Sequence, residues 1–175
     1  MLICEIFWAS SISAQNEATA SPNLFYSRLK PGTLIGVIHF MIIERYVRDY
    51  RTQLLKPGYY TLRYAAMPEG TNGSQLDFVL LSPVREERNP AQVPTLDELV
   101  RRGRLSSGTK RPSMMSLVEA DPDQPFPSLI TDDEGTCMLQ VKLRLRPAKP
   151  TKSGPASDLP IALVVVTAIP EDLGD

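Results

Sequence analysis

Three groups of side chains in this chain have types and spacing suited to chemistry. The first is acidic: Asp121, Asp123, Asp132, Asp133 and Glu134 fall close together. Calcium takes several carboxylate and carbonyl oxygens converging from a loop, so this is the candidate cation site. Its spacing does not follow an EF-hand loop, and Asp132-Asp133-Glu134-Gly135 also has the composition of an ordinary turn. The second group is aromatic, with Phe40, Tyr46, Tyr50, Tyr59, Tyr60 and Tyr64 clustered along one stretch. Sugar-binding β-sandwiches present exposed rings, and Tyr46 and Tyr59 are the candidate ligand contacts. The third is basic: Arg101, Arg102, Arg104, Lys110 and Arg111 suit an anion. No aromatics interleave them, which argues against stacked nucleic-acid bases, and a solvated helix end is the plainer account.

Catalysis finds less support. His39 stands in an apolar run with no nucleophile motif such as G-x-S-x-G, and reads as a strand residue. A carboxylate hydrolase would need two acids about 5–9.5 Å apart, a distance that one sequence does not supply. With one histidine and two cysteines, Cys4 and Cys137, a zinc site of three or four nitrogen and sulfur ligands is nearly excluded.

The chain has 175 residues, a length that suggests one domain. Its net charge of −1 gives no electrostatic reason to expect nucleic acid or an anionic membrane as partner. The longest apolar runs, Leu34–Ile43 and Leu159–Ile169, fall short of the ~18–20 residues of a transmembrane span. The opening MLICEIFWASSISAQNEATASPN is apolar, then small, then polar. It resembles the second half of a secretory signal with Ser11–Ala14 as the cleavage neighbourhood, lacking a basic start and interrupted by Glu5. A signal truncated by a misassigned start gives this pattern; so does a disordered tail. Residues 1–22 are therefore expected to be signal-like or disordered, and 23–170 to form the domain.

These residues must be positioned mainly by strands. TLIGVIHFMII after Pro31-Gly32 is rich in β-branched and aromatic residues. Pro57-Gly58 suits the centre of a type II turn. Beyond it Tyr60, Leu62 and Tyr64 alternate toward a core, while Tyr59, Thr61 and Arg63 face a solvent-tolerant side. LDFVLLSP reads as a short apolar strand, and MMSLV as another. In Cys137–Arg146, Cys137, Leu139, Val141, Leu143 and Leu145 share one face, and Gln140, Lys142, Arg144 and Arg146 the opposite one. That places Cys137 inside and argues against a bridge to Cys4 in a tail. PIALVVVTAI is apolar on both faces and reads as a central strand. Thr95 and Glu98 make a T-x-x-E capping box, Leu96, Leu99 and Val100 an apolar stripe, and Gly108 a stop, predicting one short α-helix around 95–105. RPAKPTKSGPASD predicts a flexible loop over 147–158. The whole predicts a mainly β protein: an antiparallel two-layer β-sandwich, Ig-like or jelly-roll-like, with that one helix.

The order of these motifs resembles a family of uncharacterised exported bacterial β-sandwich proteins with the signature D-Y-R-x-Q-x-L-K-P-G-x-Y-T-L-R-Y. Here it stands as Asp49-Tyr50-Arg51-Thr52-Gln53-Leu54-Leu55-Lys56-Pro57-Gly58-Tyr59-Tyr60-Thr61-Leu62-Arg63-Tyr64. The resemblance runs from about Gly32 to Thr167. Relatives in that family carry histidines where this chain has Thr71-Asn72-Gly73-Ser74 and Lys110-Arg111-Pro112. The resemblance implies export and a sandwich, and supplies no catalytic residues. The expectation is an exported, periplasmic or extracellular, non-catalytic module, structural or binding, with an envelope glycan or protein as partner. The alternatives are a carbohydrate-binding module or carboxylate hydrolase, and a calcium-stabilised module.

Overall fold

Alternation of apolar residues, broken by prolines and glycines, produces strands nearly everywhere. The structure, a computed structural model, describes residues 4–14, 25–41, 47–49, 53–66, 77–133, 135–147 and 157–166. In chain order the strands are β1 (Cys4–Trp8), β2 (Ile12–Ser13), β3 (Leu34–Phe40), β4 (Val47–Arg48), β5 (Leu54–Leu55), β6 (Gly58–Ala66) and β7 (Asp77–Pro83). After helix α1 (Leu96–Ser107) come β8 (Met114–Val118), β9 (Ser128–Thr131), β10 (Cys137–Arg146) and β11 (Ser157–Val166). The protein is mainly β, with one α-helix among the described residues.

The strands do not divide into two separate layers. Nine of the described strands hydrogen-bond into one sheet, ordered β1-β3-β6-β7-β8-β11-β10-β2, with β9 also on β10. The sheet curls into a half-barrel. Its inner face gathers Ile38 and Phe40, Leu62 and Tyr64, and Val79 and Leu81 from one half against Val141, Leu143, Ile161 and Leu163 from the other. Each such side chain, fully buried, contributes about 1.5–3 kcal/mol. The apolar β11 is central, between β8 and β10, as expected.

The sheet's two ends are tied by consecutive strands. β1 is antiparallel to β3, with Trp8 opposite Gly36, and the Ala9 N–H donates to Ile35 O at 2.9 Å. After residues 9–11, β2 lies parallel to β10, with Ile12 opposite Leu145. Cys4, Ile6 and Trp8 pack against the core, and Ile12 is buried in it. So residues 4–14, read from sequence as signal-like or disordered, form a strap closing the open side of the half-barrel. Cys4 is a strand residue, not part of a tail. Both cysteines are free thiols, and burial pushes the Cys4 thiol up.

The outer face is also covered in part. Phe78, Leu80, Ala65 and Met114 point outward and meet Leu99 and Val100 of α1. Thr95 caps the helix, its Oγ1 accepting from Glu98 N at 3.3 Å. Gly108 ends it with φ +67, its N–H donating to Arg104 O at 2.9 Å. Leu96, assigned to the apolar stripe, is exposed instead. Thr61 and Arg63, expected on a solvent-tolerant side, are buried, as is Gln140 on β10, whose Oε1 accepts from Asp121 N at 2.6 Å. The polar side of an alternating strand stays dry where another segment lies over it. No helix among the described residues is long and apolar enough to cross a membrane.

Candidate functional site

A row of polar side chains crosses three neighbouring strands on the outer face. Register places Glu5 of β1 opposite His39 of β3, and His39 opposite Tyr59 of β6. Since Ile38 and Tyr60 turn inward, His39 and Tyr59 must turn outward. The imidazole and phenol stack with centroids 3.9 Å apart and 6° between planes. His39 Nδ1 lies 3.6 Å from Glu5 Oε2, within ion-pair range and too long for a hydrogen bond. One flank of the Tyr59 ring is thus held by His39, while the residue stays 52% exposed.

Beside this row lies a groove of about 480 Å³ between the start of β6, the 3₁₀ turn Val84–Glu86 and the end of α1. Tyr59, Pro57, Val84 and Leu105 give it apolar walls, and Lys56 and Arg85 add positive charge. Gly58 enters β6 with φ +145, not the roughly +80 of a type II turn, so the chain swings from β5 into β6 at this corner. The Tyr60 hydroxyl donates to Lys56 O at 2.7 Å and pins the corner down. Burial raises the Tyr60 pKa, and the charge of Arg85 partly opposes that.

The remaining polar groups of note bond to one another. Arg63 Nε sits 2.8 Å from Glu87 Oε2, and its guanidinium also donates to Gly32 O at 2.6 Å and Pro90 O at 3.2 Å. Arg102, expected in a solvated helix end, is buried and reaches Glu87 at 3.4 Å and Glu98 at 2.9 Å. Hydrogen bonds from Arg102 and Arg101 hold the Glu98 carboxyl below its ordinary range. On the inner side the Tyr64 hydroxyl donates to Asp77 Oδ1 at 2.6 Å, and Phe25 N donates to Asp77 Oδ2 at 3.1 Å. The Tyr26 hydroxyl donates to Val118 O and accepts from Ala162 N at 3.2 Å. Burial raises Asp77 against the opposing pull of its hydrogen bonds, pushes Tyr26 to about 12 and raises Tyr64 further. Asp49, first residue of the signature, accepts from Gln53 N at 2.8 Å and Met114 N at 3.2 Å, joining the segment before β6 to β8.

The described acidic candidates flank β9. Asp121 Oδ1 accepts from Asp123 N at 2.9 Å before that strand; Asp132 Oδ1 accepts from Thr136 N at 2.7 Å after it. Both are turn-forming bonds. Among the described residues no three His, Cys, Asp or Glu side chains come together as a metal-holding group. Tyr46, Glu134 and residues 148–156 of the expected loop lie outside the described residues. Of the two aromatic candidates Tyr59 is therefore the one placed, at the mouth of the groove. Sequence reasoning sets His39 aside as a plain strand residue; outward alternation in both strands hints at the stack, but the register joining them is not visible there.

No family model matches the chain, and no curated protein or solved structure does either.

Proposed function

We propose that this chain is a non-catalytic, exported binding module of the periplasm or envelope, with the Tyr59 groove as its binding surface and an envelope glycan as its ligand. The observation that carries this reading is the half-exposed Tyr59 ring, braced on one flank by His39 and lining a groove. A pyranose presents a flat face of C–H groups, and an aromatic ring already held in place stacks on it with little ordering cost. The buried Arg63, Glu87, Asp77 and Asp49 are engaged in joining segments, which supports a binding rather than a catalytic role. Export rests on the resemblance carried by the Asp49–Tyr64 signature.

The test is a thermal melt of the full chain against envelope glycans. Ligand at a hundredfold over its Kd adds about 2.7 kcal/mol and moves the midpoint by several degrees. A shift lost in Tyr59→Ala supports the groove; a shift unchanged in that variant removes it. Export is tested separately, by fractionation and mass spectrometry of the mature N-terminus in the producing cell; protein confined to the cytosol ends that part of the reading.

A further inference from the structure

Resting on that reading, we propose that the groove selects carboxylate-bearing saccharides, of the uronic acid class, over neutral ones. The charge of the lining is one-sided: Lys56 and Arg85 line it, and no acid does among the described residues. Both cations belong to one corner. The Tyr60 hydroxyl is bonded to the Lys56 carbonyl at 2.7 Å, and the Arg85 charge acts on that same hydroxyl. Arg85 has only a loose, solvent-screened ion pair. Its Nε lies 3.9 Å from Glu86 Oε1, at the limit of ion-pair range, and the Arg85 side chain is 78% exposed, so it can turn to an incoming carboxylate. Tyr59 heads the apolar wall that leads away from this corner, with Pro57, Val84 and Leu105. A sugar stacked on Tyr59 has its ring face on apolar surface and its exocyclic substituent free to reach a cation. A carboxylate there gains a charge-assisted hydrogen bond that a hydroxymethyl group does not.

The class of ligand follows from having both features together. A small inorganic anion would use the cations and leave Tyr59 idle. A neutral sugar would use Tyr59 and gain nothing from the two cations. Only a ring with an attached acid engages both. Long-range attraction between exposed charges is screened by salt, so the preference for acid has to weaken as ionic strength rises.

The experiment is calorimetric titration of the full chain with an oligogalacturonide and, separately, a neutral cello-oligosaccharide of equal length, with polyglutamate as a polyanion that lacks a sugar. The expected result is binding of the oligogalacturonide about tenfold or more tighter than the neutral oligosaccharide. Salt should narrow that gap, and polyglutamate should not compete. Lys56→Gln and Arg85→Gln, both at exposed side chains, should close most of the gap. Tyr59→Ala should lose both sugars. Equal affinity for the two sugars, or an acidic affinity untouched by the two charge variants, overturns the selectivity and leaves the glycan groove standing. Competition by polyglutamate overturns the saccharide class in favour of general polyanion attraction. If neither sugar binds, the groove reading fails, and this inference with it.

Discussion

Arg63 Nε lies 2.8 Å from Glu87 Oε2, and the two side chains are 1% and 4% exposed. The pair joins the outer face of β6 to the segment that follows the 3₁₀ turn, and Arg102 ties the same carboxylate to α1. Removing one partner strands a buried charge, which costs about 3–5 kcal/mol. Arg63→Met is expected to lower stability by that amount in urea unfolding, and Glu87→Gln somewhat less, since the amide still accepts. Arg63→Lys should also lose stability, because a point charge cannot bond Glu87, Gly32 and Pro90 together. A loss below about 1 kcal/mol in Arg63→Met would show that the pair contributes little.

Gly103 sits inside α1, where alanine ordinarily gains about 1 kcal/mol over glycine. Here a Cβ would come 2.8 Å from Pro112 Cβ and 3.4 Å from Pro112 Cα. Gly103→Ala is therefore expected to destabilise, by about 1–3 kcal/mol, as overpacked sites do. A thermal midpoint equal to or above the parent's would mean that the Pro112 segment gives way freely.

The raised tyrosines make the fold sensitive to alkali. Folded Tyr26 keeps its proton to about 12, whereas an unfolded tyrosine releases it near about 10. Between these values the folded state binds more protons, so stability is full below the window and falls as pH rises through it. Asp77 acts with the same sign from the ordinary carboxylate value upward, because its folded pKa is also raised. Glu98 acts oppositely in acid: its folded value is lowered, so its contribution is present at neutral pH and lost on acidification. Denaturant melts across the alkaline range should show a falling slope that Tyr26→Phe flattens. Stability rising from about pH 10 to about 12 would contradict the sign.

The strap is expected to carry real stability. Ile12 is 3% exposed in the core, and Ile12→Ala should cost about 2–5 kcal/mol. Gly36→Ala, on β3, would drive a Cβ to 2.8 Å from Phe7 O and push β1 off its partner. Hydrogen exchange is the decisive readout for Gly36→Ala: protection should fall in β1 and β3 first, and uniform loss across the sheet would argue against a local strap.

Some of this was legible in the residues. The helix was, because Thr95, Glu98 and Gly108 are local signals that act within one turn. So was β10, whose alternation from Val141 to Arg146 needs no knowledge of its neighbours. Arg63 was not: alternation marks it as polar-side, and only the placement of Glu87 and α1 over that side makes it buried. The same holds for Gln140 and Arg102. For His39 and Tyr59 each strand gave the outward direction, but the stack depends on how β3 and β6 align, which is a matter of long-range register. The opening stretch is ambiguous for a different reason. An apolar run followed by small residues is equally the composition of a cleavable signal and of an edge strand with a tight turn, and burial of Ile12 is decided by β10, far along the chain.

That distance sets an order of events during translation. β1 finds its partner in β3 soon after both are made, whereas the strand partner of β2 among the described residues, β10, is made much later. Until then Ile12 waits in the open beside a sheet that lacks its far half. Closure of the half-barrel thus waits on β10, and until then the strap stays open to chaperones and to neighbouring chains.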